Sequence, residues 1–249
     1  MAFDKDAFLT ALDSEAQRIG VLMEVLEVLY RDHLFEVLHA VMHTAGQSYN
    51  MAYAGSGVNA LDRSIEALVY AEQAMRSVAP SARWSRRFGN SDIHLQKTYR
   101  LVPRGTAVCF SCASFPTWNA WPSMMASLAT GNPVILKPHP ATVLPMAITV
   151  KAFRQVLQAA GFDPNLVTLC VSDSRATTQS LATHPRVKSV DFTGSNAFGQ
   201  WLIEHCKQAQ VYAELAGVNN VVLDSTDQYQ AMLGNLAFTL SLYSGQMCT

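Results

Sequence analysis

Between about residues 6 and 51 the apolar positions recur at helical spacing, as in Leu22, Val25, Leu26 and Leu29, and no proline interrupts them. The chain is therefore expected to open on helix. The glycine-rich run AYAGSGVN at 52–59 predicts a break, and a second helix follows over 61–78 until the proline and small residues of SVAPSA end it. Over 92–102, polar His94, Gln96 and Thr98 mix with apolar Ile93, Leu95 and Tyr99, which suits a partly exposed hairpin. After Pro103 the pattern changes. Short apolar runs at 106–111, 133–137, 166–171, 189–192, 211–215 and 220–223 read as strands, and helical patterns lie at 118–129, 142–160, 176–182, 197–207 and 229–242. Strands alternating with helices predict βαβ units. The expected fold class is α/β, a doubly wound, mostly parallel sheet with a helical N-terminal segment and a hairpin arm.

Composition agrees with a folded domain, since 49% of the 249 residues are apolar and only 15% are charged. A net charge of -1 and the lack of a basic cluster argue against nucleic acid as a partner. No run of about 18 apolar residues occurs, and the polar start MAFDKDAF has no apolar signal core, so no membrane association and a cytoplasmic location are expected. Cys109 and Cys112 have C-x-x-C spacing, but no second pair completes a zinc site and no metal is expected. They read as reduced core cysteines, as do Cys170 and Cys206.

The usual G-x-G-x-x-G fingerprint follows none of these strands. VDFTGSNAFG runs instead from a strand ending at Phe192 through Gly194 and Ser195 into a helix with Gly199 on its first turn. Such a turn offers backbone N–H groups and a positive helix end to a pyrophosphate, although a bland strand-to-helix turn would look the same. GNPVILKP puts Lys137 at the end of a buried strand, AELAG puts Glu214 at another strand end, and SGQMCT carries Cys248.

Taken in chain order, GNPVILKP, FTGS, AELAG and SGQMCT, with Pro103 and Gly105 ahead of the first strand and Cys248 placed 34 positions after Glu214, resemble the aldehyde dehydrogenase superfamily from about residue 103 onward. The resemblance implies that Cys248 is the nucleophile toward an aldehyde, that Glu214 is the base, and that Lys137, Gly194, Ser195, Gly199 and Phe192 serve the dinucleotide. The small-molecule partner would be an aldehyde. Two departures matter. At the position of the family's usual oxyanion asparagine stands Ser114, within CASFP, and the register does not support nearby Asn119. Three residues after Lys137, where many NAD-preferring members carry a glutamate, stands Pro140; NADP is then at least as plausible as NAD.

The runs CASFPTWNAWP, LATGNPVILKPHP, FDPNLVTL, AGVNNVVLDSTD and LAFTLSLYSGQMCT resemble the branch associated with aerobic phenylacetic acid degradation, which implies a semialdehyde carried on coenzyme A. By the same resemblance, 1–217 would form the nucleotide-binding domain with the 92–102 hairpin as an oligomerisation arm, 218–249 would begin a truncated catalytic domain, and the full-length protein would be a homo-oligomer. Such a fragment is expected to be a poor catalyst. The competing expectations are a non-catalytic nucleotide-binding remnant and an acylating enzyme that forms a CoA thioester; Glu214 argues against the latter.

Overall fold

The computed structural model describes residues 15–218 and 220–246, with side chains for all of them except 15, 16 and 244. Its first part is helical. Helix α1 (Glu15–Val28) passes through a π-helical turn (Leu29–His33) into α2 (Leu34–Ala45), and α3 covers Ala60–Arg76. Leu22, Val25, Leu26 and Leu29 are all buried, as their spacing requires. Gly46 ends α2 at φ 71°, where its N–H closes on the Met42 carbonyl, a left-handed cap that glycine adopts without steric cost.

The run 52–59 is not a break. It forms a continuous π-helical segment, Ala52–Asn59, with Gly55, Ser56 and Gly57 buried. Its small residues serve close packing rather than a turn: a Cβ on Gly55 would lie 2.7 Å from Tyr243 Cε1 and 2.8 Å from Phe115 Cε1.

The hairpin extends further toward the N-terminus than expected. Its strands are β1 (Ser81–Phe88) and β2 (Ser91–Thr98), antiparallel from Ser81↔Thr98 to Phe88↔Ser91, and Gly89 turns the corner at φ 61°. Residues 99–102 are not in the strand. Ala82, Trp84 and Phe88 alternate with polar residues along SARWSRRF and Trp84 pairs with Leu95, but Arg86 interrupts that apolar face and every residue of both strands is exposed.

The remainder is a five-stranded parallel sheet. Its strands are β3 (Thr106–Ser111), β4 (Val134–Pro138), β5 (Val167–Leu169), β6 (Val187–Gly194) and β7 (Gln210–Leu215), in the order β5-β4-β3-β6-β7. Helices α4 (Pro116–Ala129), α5 (Val143–Ala159), α6 (Arg175–Ala182) and α7 (Asn196–His205) connect them. One core packs Ala107, Cys109, Val134 and Leu136 against α4, α5 and the N-terminal helices; the other packs Val108, Phe110, Val190 and Phe192 against α6 and α7. The chain reverses direction across the sheet between β3 and β6, the topological switch point at whose carboxyl edge α/β folds bind ligands.

Gly105, just before β3, has φ 140°, and a Cβ there would lie 2.8 Å from Lys188 Cγ and 3.1 Å from the Arg186 carbonyl. Asn132 Oδ1 accepts from the backbone N–H groups of Arg104 and Gly105, fixing the strand's entry. The run 220–223 forms no strand; Val221, Val222 and Leu223 are exposed. The last helix, α8 (Tyr229–Ser241), buries none of its residues. Among the described residues no helix is long and apolar enough to cross a membrane.

Candidate functional site

Because all five strands run parallel, their carboxyl ends form one edge. Ser111, Lys137, Gly194 and Glu214 come to that edge from β3, β4, β6 and β7. Lys137 is 8% exposed, and burial lowers its affinity for a proton, partly offset by the nearby Cys170 and Asp173. Pro140 opens the exposed 3-10 turn that follows, and the neighbouring His139 Nδ1 accepts from the Ala141 N–H.

The turn after β6 is supported from beneath by aromatics. Phe192 is buried edge-on against Phe110 and Phe198, with ring centroids 6.1 and 5.3 Å away, and so props the turn rather than presenting itself at the edge. A Cβ on Gly194 would lie 2.7 Å from Phe192 Cζ, and one on Gly199 would overlap the Leu215 side chain. Both glycines let α7 start close against β6 and β7. Ser195 takes the N-cap position without a side-chain capping bond, leaving its exposed hydroxyl and the first-turn N–H groups of α7 for an external acceptor. The Gly194 carbonyl accepts from the Ala216 N–H at 3.0 Å, which pins the end of β7, and with it exposed Glu214, beside the turn. A close-packed helix N-terminus, an exposed hydroxyl and a nearby lysine are groups that fit the phosphates and ribose of a dinucleotide.

Ser114 lies in the turn between β3 and α4. Its hydroxyl is 3.9 Å from Cys112 Sγ, and its carbonyl accepts from Gln47 Nε2 at 2.6 Å. The Asn119 side chain is engaged with the main chain, for Oδ1 accepts from the Cys112 N–H and Nδ2 donates to the Phe110 carbonyl, both at 3.1 Å. It thus closes the turn that displays Ser114. Burial pushes the thiols of Cys109 and Cys112 above their ordinary range, which keeps both in the unreactive thiol form.

Cys248 lies outside the described residues, but the segment leading to it is described. Tyr243 packs edge-on against Phe115 at 4.7 Å, and Gln246 Nε2 donates to the Ala45 carbonyl at 2.7 Å. The neighbours of Ser114 and the residues just before Cys248 are therefore packed together.

One residue of this edge, inside the VDFTGSNAFG run, is given no role by the sequence motif. Asp191 on β6 lies on the same sheet face as Cys109, close to the Ser123 hydroxyl of α4. Its pKa is pushed up to about 6, by burial first and by the charge of Glu214 in addition. Among the described residues, no group of three or more histidine, cysteine or acidic side chains could hold a metal.

The model of the aldehyde dehydrogenase family matches residues 5–249, and the chain belongs to that family. A solved NAD-dependent aldehyde dehydrogenase from Burkholderia multivorans is 46% identical and superposes with a TM-score of 0.91 over 99% of this chain and 46% of its own. Alpha-ketoglutaric semialdehyde dehydrogenase 2 of Azospirillum brasilense is 32% identical over 168 residues, 64% of this chain and 31% of that protein. A 1-pyrroline-5-carboxylate dehydrogenase of Geobacillus sp. (strain WCH70) is 28% identical over 156 residues, 59% of this chain and 30% of that protein. The chain thus spans less than half the length of each of these relatives.

Proposed function

We propose that the protein takes part in the NAD(P)-dependent oxidation of an aldehyde to a carboxylic acid, with Cys248 as the nucleophile. The observation that carries this reading is the packing of Tyr243 on Phe115, which joins the approach to Cys248 to the Ser114 turn at the carboxyl edge where Lys137, Ser195 and Glu214 also end. The Cys248 thiolate adds to the carbonyl carbon, and the developing oxyanion takes hydrogen bonds from the Ser114 hydroxyl and the Cys248 backbone N–H. Glu214 takes the thiol proton and later a proton from the water that releases the acid from the thioester. Lys137 and Ser195 bind the ribose and phosphates of the dinucleotide over the Gly194 and Gly199 turn, which Phe192 supports. When bound, the nicotinamide supplies the hydride acceptor.

NAD and NADP both fit this chemistry. Pro140 in place of a carboxylate leaves room for a 2′-phosphate and favours NADP, whereas the Burkholderia multivorans relative is described as NAD-dependent. The substrate reading is a semialdehyde carried on coenzyme A, as in phenylacetic acid degradation, supported by the runs around Ser114, Lys137 and Cys248.

Residues 1–217 serve as the nucleotide-binding unit, and those from 218 onward belong to a catalytic unit. The hairpin β1–β2 is the self-association arm, since an isolated two-stranded sheet with both faces exposed has marginal stability in water. The test is a product assay with NADP or NAD and a CoA semialdehyde, comparing wild type with Cys248→Ser. Free acid from wild type alone supports the proposal. Nucleotide binding without turnover favours a non-catalytic binding module, and a second CoA thioester at the former aldehyde carbon, formed only when free coenzyme A is added, would identify an acylating enzyme.

A further inference from the structure

We infer that Asp191 is a positioning residue for the proton chemistry at Glu214, the two carboxylates forming a coupled acid–base pair at the carboxyl edge of the sheet. This rests on Glu214 being the base, as proposed above.

The register supplies the geometry. Glu214 is opposite Thr193, and Asp191 is two residues earlier on β6, so both side chains leave the same face of adjacent strands on a diagonal. That diagonal spans about 7–8 Å between Cα atoms, within reach of charge coupling when one partner is a long glutamate. The face is the one toward α4, because Asp191 meets Ser123 there and shares its field with Cys109.

The surroundings leave Asp191 few ways to hold a charge. From β3 it faces Cys109, from β7 Tyr212 and Glu214, and α4 brings no titratable residue, only the Ser123 hydroxyl. None of these groups is a cation. Ser111, on the same face of β3 as Cys109, has a buried hydroxyl without a hydrogen-bond partner among the described residues. A half-buried carboxylate with a like charge beside it and no cation facing it holds its negative charge at a cost. Burial and the Glu214 charge move its midpoint up to about 6.

Above about pH 6 Asp191 is ionised and its charge adds to the pull on a proton arriving at Glu214; below it Asp191 carries a proton and that pull is lost. The proton that Glu214 takes from the Cys248 thiol or from water is thus drawn by two charges rather than one. Asp191 touches neither substrate nor cofactor in this scheme.

The test combines two readouts on the full chain. Carboxyl carbon NMR follows the Asp191 titration in wild type and in Glu214→Gln. The rate of Cys248 alkylation by iodoacetamide, read by peptide mass spectrometry, is followed from pH 5 to 9 in wild type, Asp191→Asn and Glu214→Gln. The expected results are an Asp191 midpoint near 6 that falls by about half a pH unit in Glu214→Gln, and an inflection near 6 in the wild-type alkylation profile that both variants lose. An Asp191 midpoint indifferent to Glu214→Gln, or an Asp191→Asn profile that superimposes on wild type, overturns the pairing. If Glu214→Gln alone changes the profile, Glu214 stands as the base and only the role of Asp191 falls. If neither variant changes it, the assignment of Glu214 falls as well. The NMR arm decides the coupling even if Asp191→Asn does not fold. A purely structural Asp191 would lower the melting temperature on substitution and leave both pH readouts unmoved.

Discussion

Replacing Asn119 by alanine separates two roles that an asparagine beside this edge could have. Its side chain accepts from the Cys112 N–H and donates to the Phe110 carbonyl, each at 3.1 Å, and both partners are main-chain groups of the turn that carries Ser114. Asn119→Ala removes both bonds. At about 1 kcal/mol each the expected loss is about 2 kcal/mol, or a fall of about 4–8 °C in Tm for a chain of this size. Ser114→Ala removes only a hydroxyl that, among the described residues, has one hydrogen-bond contact, Cys112 Sγ at 3.9 Å, so its effect on stability is expected to stay within about 0.5 kcal/mol. Urea unfolding of wild type and both variants measures the difference, and the rate of aldehyde oxidation provides the complement. Ser114→Ala should lower the rate with stability intact; Asn119→Ala should lower stability first. An unchanged unfolding midpoint for Asn119→Ala, or equal destabilisation by both variants, would refute this division of labour.

Gly199→Ala is expected to cost about 1–3 kcal/mol, because the new methyl overlaps Leu215, and the cost should largely vanish in a Leu215→Ala background; equal costs in both backgrounds would contradict the packing. Asp191 has a folded midpoint of about 6 against an ordinary 3.8, so the folded chain holds more protons between these values and this group's contribution to stability is lost as pH rises from about 4 to about 6. Asp191→Asn should therefore gain stability relative to wild type as pH is raised through that window, by up to about 3 kcal/mol at pH 7.5. Urea midpoints at pH 4 and 7.5 check this, and a pH-independent difference would oppose it. Pro140→Glu should weaken NADP binding about tenfold or more while sparing NAD, in competitive titrations; an unchanged ratio would detach Pro140 from the 2′-phosphate.

The parts of this fold legible in the sequence are those where one physical rule dominates. Buried parallel strands such as Thr106–Ser111 are short apolar runs, and helices such as Val143–Ala159 follow the 3.6-residue period. The motif residues Lys137, Gly194, Ser195 and Glu214 do converge on one edge. The errors arise where tertiary context decides. Residues 81–88 form an exposed strand whose alternation of Ala82, Trp84 and Phe88 is broken by Arg86, so its apolar signal is short. Val221, Val222 and Leu223 form an apolar run that pairs with no strand among the described residues. Gly55, Ser56 and Gly57 read as a break, although bare Gly55 admits Phe115 and Tyr243 and Gly57 admits Leu34 and Leu38. The spacing of the motifs keeps Asn119 out of the oxyanion role, but its hold on the turn depends on helix geometry. Asp191 resembles any polar residue on a strand until its neighbours on β3, β7 and α4 are known.

If this chain forms a dinucleotide site beside a reactive cysteine, nucleotide binding and the reactivity of Cys248 must change together. The direct measurement is a titration of the chain with NADP and NAD, with thiol labelling of Cys248 at each nucleotide concentration. Saturable binding, a change in the Cys248 labelling rate with the same midpoint, and loss of binding in Lys137→Met are expected. Nucleotide binding that leaves Cys248 labelling unchanged, or no binding of either nucleotide, would contradict it.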